Sequence, residues 1–138
     1  MLLLALQLLL APARAGTDSV LELLRQGQDA AALSEARKAI VQTPDDAEAH
    51  ELLIDLLLNL GLGHQAEDAY KSLAASNETA MAWTLYGRAA LTADLAREAY
   101  EHALKLDASY ARAWMGLAAV DRAQGGLARA EERYARSL

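Results

Sequence analysis

From residue 17 onward the chain repeats itself, and the length of the repeat limits what it can become. The segments Ala32-x3-Ala36-x2-Ala39, Ala66-x3-Tyr70-x2-Leu73, Ala96-x3-Tyr100-x2-Ala103 and Ala130-x3-Tyr134-x2-Ser137 follow one another at intervals of 34, 30 and 34 residues. A second set, His50-x2-Leu53-Ile54, Trp83-x2-Tyr86-Gly87 and Trp114-x2-Leu117-Ala118, recurs at intervals of 33 and 31. Within each set the spacings are three and four, which on a helix are neighbours along one face. A unit of this length made of two helical halves cannot bury its apolar face alone, so successive units must stack into an array.

The composition points the same way. The 32 Ala and 27 Leu, set against 3 Val and 2 Ile, favour helix and argue against a sheet, because Ala and Leu lose little freedom in a helix while β-branched residues crowd the preceding turn. Phe is absent, so the core is expected to consist of Leu with Ala allowing helices to approach closely. The absence of Cys excludes disulfides, thiolate nucleophiles and zinc–thiolate sites. A net charge of −6 argues against nucleic acid, whose binders present basic surface to the phosphates. Protein partners are the expectation.

Helix breaks fall at Gln26-Gly27, Thr43-Pro44-Asp45-Asp46, Gly61-Leu62-Gly63, Ser76-Asn77, Asp107-Ala108-Ser109 and Gly125-Gly126. They predict helices over 18–26, 29–42, 46–60, 64–75, 79–92, 95–106, 110–124 and 127–138. Asp45, followed three residues later by Glu48, reads as a capping-box start. The turn Thr92-Ala93-Asp94 is about three residues shorter than its counterparts.

These residues resemble the tetratricopeptide repeat, whose signature is Trp-x2-Leu-Gly-x2-Tyr in the first helix and Ala-x3-Phe in the second, with a later Pro. The resemblance covers about 120 residues, and its best copy, residues 111–138, supplies Trp114, Leu117, Ala118, Gly125-Gly126, Ala130 and Tyr134. Asp121 and Ala90 stand where the first helix would carry a second aromatic, and Ala108 replaces the closing Pro. The resemblance implies an all-α, right-handed superhelical solenoid of antiparallel helix hairpins, with units of about 17–46, 47–79, 80–110 and 111–138. It implies a noncatalytic scaffold that holds a peptide or protein segment in the concave groove lined by the first helices.

The groove positions, read from the repeat alignment, are Glu48, Glu51, Asp55 and Asn59 in the second unit, Met81, Thr84, Arg88 and Thr92 in the third, and Arg112, Met115, Ala119 and Arg122 in the fourth. A related subfamily clamps a C-terminal carboxylate with Lys, Asn and Arg. Its places hold Glu51, Asp55, Leu85, Arg112 and Gly116 here, and only Arg112 suits that task. Residues 1–78 carry 5 basic and 12 acidic side chains, and residues 79–138 carry 8 and 7. A bound segment is therefore expected with its basic part toward the second unit and its acidic part toward the fourth.

Other chemistry finds little support. His50, His64 and His102 lack metal-ligand spacing. Gly61-x-Gly63 has neither the third Gly nor the Lys-Ser/Thr of a phosphate loop. Paired carboxylates such as Glu67-Asp68 and Glu131-Glu132 point about 100° apart on a helix and cannot converge as acid and base. The expectation is no catalytic residue, no metal, no cofactor and no small-molecule substrate.

Residues 1–15, MLLLALQLLLAPARA, read as a signal peptide, with small residues at Ala13 and Ala15 before a cut. This predicts an exported protein, periplasmic or envelope-associated, in an envelope, pilus or secretion assembly. If the segment is instead a buried first helix, the protein is cytoplasmic. The alternative functions are a docking arm or fragment of a larger enzyme, or a self-assembly module. Self-association is expected through the C-terminal hairpin, whose Trp114, Leu117, Leu127, Tyr134 and Leu138 would be covered on one side only.

Overall fold

A computed structural model describes residues 16–138, all of them in helices or in the short turns between helices. Residues 16–25 are helical (α1). Then come α2 (Asp29–Gln42), α3 (Ala47–Asn59), α4 (Gly63–Ser76), α5 (Ala80–Ala89), α6 (Ala93–Leu106), α7 (Ala111–Ala123) and α8 (Leu127–Ser137). The eight elements follow the spacing of the breaks. The expected signal peptide lies outside the described residues. The chain forms two compact units that meet within α3, after Leu57.

In the first unit, α2 buries Ala32, Ala36 and Ala39, a stripe at spacings of four and three whose small side chains permit close helix approach. Val20 of α1, and Ala49, Leu53, Ile54, Leu56 and Leu57 of α3, complete the buried apolar set. The start of α3 differs from the expected capping box. Pro44 and Asp45 form a turn closed by the Asp46 N–H donating to the Thr43 carbonyl (3.1 Å), so Asp46, not Asp45, is the cap. Its Oδ1 accepts from the N–H groups of Glu48 (3.0 Å) and Ala49 (3.3 Å). His50, which stands where later units have Trp, is buried with Nε2 2.9 Å from the Pro44 carbonyl.

In the second unit, α5 packs against α4, α6 and α7, and α7 against α6 and α8. Ala96, Tyr100 and Ala103 of α6 meet Ala113 and Leu117 of α7, flanked by the half-buried Trp83 and Trp114. The Tyr100 ring is wedged between two helical glycines, Gly87 of α5 and Gly116 of α7. A Cβ on Gly87 would stand 2.6 Å from Tyr100 Cε1, and one on Gly116 would collide with the ring. Tyr70 is buried along α4 with Ala66 and Ala74, and burial pushes its hydroxyl above the ordinary phenol range.

Three hairpin turns use a glycine in the left-handed region, Gly27 (φ 71°), Gly61 (φ 74°) and Gly125 (φ 80°). The fourth has none. There α5 ends at Ala89, three residues before the expected 92, and the turn is Ala90-Leu91-Thr92, with Ala93 and Asp94 already in α6. Two side chains replace the glycine. Glu67 of α4 accepts the Leu91 N–H at 2.7 Å, and the Thr92 hydroxyl accepts the Leu95 N–H at 3.3 Å as the cap of α6.

Candidate functional site

The first helices of the hairpins carry the residues expected to face a ligand. In the first unit, Glu48 is exposed on α3, with Glu51 and Asp55 half-buried one and two turns on. In the second unit, Asn59 is exposed at the end of α3, and Met81 and Arg88 reach solvent from α5. Helix α7 adds Arg112, half-buried, with Met115, Ala119 and Arg122 exposed. The residues of α5 and α7 thus lie on two adjacent helices of one unit. Helix α7 is clearly two-faced: Ala113, Leu117, Ala118 and Asp121 are buried, while Met115 is 51% exposed.

Thr84 departs from the expectation, being only 4% exposed with a hydroxyl that lacks a hydrogen-bond partner. The cause is the position of α5 within the unit. Covered by α4, α6 and α7, it buries Ala82, Leu85, Tyr86, Gly87 and Ala89 as well. Thr92 is exposed, but its hydroxyl is engaged in capping α6.

Asp121, where the repeat pattern wants an aromatic, is fully buried as the centre of an ionic clasp. Arg97 Nη1 of α6 donates to Oδ1 at 3.0 Å, and Arg133 Nε of α8 lies 2.8 Å from Oδ2 as an ion pair without hydrogen-bond alignment. Arg97 also donates to Gln124 at 2.6 Å. The carboxylate therefore ties α6 and α8 to α7, filling with charge the volume an aromatic ring would take. The two arginines lie 24 and 12 residues from Asp121 in the chain, beyond the reach of a local sequence pattern.

A second pairing was also out of reach of local patterns. His102 stacks on Trp83 with ring centroids 3.9 Å apart and places Nε2 3.1 Å from Glu78. One repeat later Arg136 lies over Trp114 at 5.1 Å, and the Trp114 indole donates to the Ala108 carbonyl at 2.8 Å. His50 thus meets a backbone carbonyl, and His102 stacks on Trp83. Among the described residues no group of three metal-binding side chains is found. Of the five residues expected to leave the C-terminal hairpin bare, Leu117 is buried, Trp114 and Tyr134 are half-buried, and only Leu127 and Leu138 are exposed.

No protein-family model matches the chain, and a search of curated proteins returns no match. Solved structures do match. A thermophilic TPR protein from Thermus thermophilus, TTC0263, superposes with a TM-score of 0.64 at 21% identity, over 91% of this chain and 73% of that one. The fold is that of a tetratricopeptide-repeat protein. The MamA protein superposes with a TM-score of 0.54 at 22% identity, over 84% of this chain and 70% of that one. At these identities the likeness is one of fold, and the described residues form an all-α helical repeat solenoid. Within this tetratricopeptide fold the signature residues have structural work: Trp83, Tyr100 and Trp114 pack between helices, and Gly87 and Gly116 admit the Tyr100 ring.

Proposed function

We infer that this protein is a noncatalytic interaction scaffold, and that the first helices of its hairpins present the surface that takes a peptide or protein segment. The tetratricopeptide fold supports the scaffold reading. The accessible face of α7 carries the finer one. Arg112, Met115, Ala119 and Arg122 reach solvent at spacings of three and four, combining two cations with an adaptable apolar side chain. Met81 and Arg88 add the same combination on neighbouring α5. This surface suits a segment bearing carboxylates and at least one apolar side chain.

Selection of a displayed random-peptide library on the immobilised protein tests this. Selected peptides should lose about tenfold or more in affinity for Met115→Glu/Arg122→Glu, at unaltered helicity, because exposed side chains contribute little to stability. Peptides that bind the double variant as well as the original protein would refute this assignment of the surface.

Export belongs to the same proposal, with an envelope, pilus or secretion assembly as its setting. Cleavage after Ala15 yields a chain beginning at Gly16, with 12 basic and 19 acidic residues once Arg14 is gone. The intact mass of protein recovered from its native host tests this, and a mass that includes Met1 rules it out.

A further inference from the structure

A groove of about 500 Å³ runs between α6 and α8, on a different face of α7 from the one just described. Its floor is apolar, with Trp114 and Leu117 from α7 and Leu104 from the α6 wall. Its rim is basic. Lys105, Arg129, Arg133 and Arg136 face two carboxylates, Glu101 and Glu132, a local balance of +2 in a chain of net −6. The arginines are spaced four and three, forming one stripe along about 10 Å of α8.

Two of the cations have tasks within the fold. Arg133 pairs with Asp121, and Arg136 covers Trp114 and pairs with Glu132 at 3.2 Å. Lys105 and Arg129 are exposed and have no ion-pair or hydrogen-bond partner among the described residues. The hairpin itself does not require this charge. Thirty-four residues earlier Leu95, Ala99 and His102 take the places of Arg129, Arg133 and Arg136. The recess over Trp83 is lined by Glu98, Glu101, His102 and Lys105, so the earlier copy of the same architecture is not basic.

We propose that the α6–α8 groove binds an acidic peptide segment of a partner protein. Carboxylates of that segment meet Lys105 and Arg129, and an apolar side chain rests against Trp114 and Leu104. Charge-assisted bonds from ammonium and guanidinium groups to carboxylate are the strongest available on such a surface, and the Trp114–Arg136 stack gives the apolar residue a flat face. In an extended segment successive side chains point to opposite sides, so an acidic, apolar, acidic pattern turns the apolar side chain to the floor while the two carboxylates stay at the level of the rim. This goes beyond the proposed function and uses a separate surface.

The test titrates the full chain with a dye-labelled synthetic peptide, Glu-Leu-Glu-Leu-Glu, followed by anisotropy and by tryptophan emission. The Lys-Leu-Lys-Leu-Lys peptide serves as a control. Saturable binding of the acidic peptide alone is expected, weakening with added salt. Lys105→Glu/Arg129→Glu should lose about tenfold or more, whereas the charge-matched Arg25→Glu/Lys71→Glu, at exposed positions of α1 and α4 outside both surfaces, should bind as the original protein does. Should the reversal disturb helicity, Lys105→Gln/Arg129→Gln carries the same test with a smaller loss. Absence of saturable binding, unchanged affinity in the groove variants, or displacement of the peptide by equimolar inorganic phosphate overturns the proposal.

Discussion

Inserting one methyl group at Gly116 tests whether Tyr100 is the wedge that sets the spacing of α5 and α7. A Cβ there would overlap the ring at Cζ and Cε1, and one at Gly87 would stand at 2.6 and 2.8 Å from two ring carbons, where ordinary contact begins at 3.4 Å. The ring, 7% exposed with a glycine on each side, has nowhere to retreat. Two terms oppose each other. Replacing a mid-helix Gly by Ala gains about 0.8–1 kcal/mol in helix propensity, while overpacking a filled core costs about 1–3 kcal/mol. The net expectation for Gly116→Ala is a loss of about 1 kcal/mol, or roughly 4–8 °C for a unit of this size. In a Tyr100→Leu background the collision vanishes and the propensity gain remains, so the same substitution should stabilise by about 0.5–1 kcal/mol. Urea and thermal unfolding of the four proteins, followed by circular dichroism, measure both signs. A higher melting temperature for Gly116→Ala with Tyr100 intact would refute the wedge.

Asp121→Ala should cost on the order of 3 kcal/mol in urea unfolding, toward the lower end for a broken buried pair, since Arg97 and Arg133 keep about a fifth of their side chains in water. Because burial raises the Tyr70 hydroxyl above its ordinary value of 10.0, the unfolded chain gives up this proton before the folded chain does, so stability should hold up to about pH 10 and fall above it. Melting curves between neutral and strongly alkaline pH should show a shallower alkaline loss in Tyr70→Phe than in the original protein. Thr84→Val, which removes a buried and unpartnered hydroxyl, should raise stability by about 1 kcal/mol in the same unfolding assay.

What could be read in the sequence was whatever recurs. The Ala-x3-Tyr and Trp-x2-Leu spacings and the Gly and Pro breaks located all eight helices, because periodicity and turn residues act over four or five positions. The errors came where a remote side chain took over a local task. Helix α5 ends three residues before the predicted 92, and Glu67, twenty-four residues back, holds the Leu91 N–H in a turn that has no glycine. The alignment with Glu51 and Met115 puts Thr84 at the surface, yet α5 is enclosed by three helices, a difference of neighbours and not of register. Asp46 displaced Asp45 as the cap because Pro44 takes up the preceding residue in a turn. The basic groove between α6 and α8 carries no short motif, since its cations come from two helices that only folding brings together.

The bond from Glu67 to the Leu91 amide also bears on how such a chain can be edited by duplication or loss of repeats. A hairpin that closes on its own glycine can be copied, moved or deleted with its turn intact. The α5–α6 hairpin differs, because its bend is completed by a carboxylate from α4. Removing α4 would strip a hydrogen-bond acceptor from the next turn as well as a packing surface. A copy of α5–α6 placed without α4 would have to find another acceptor for the Leu91 amide.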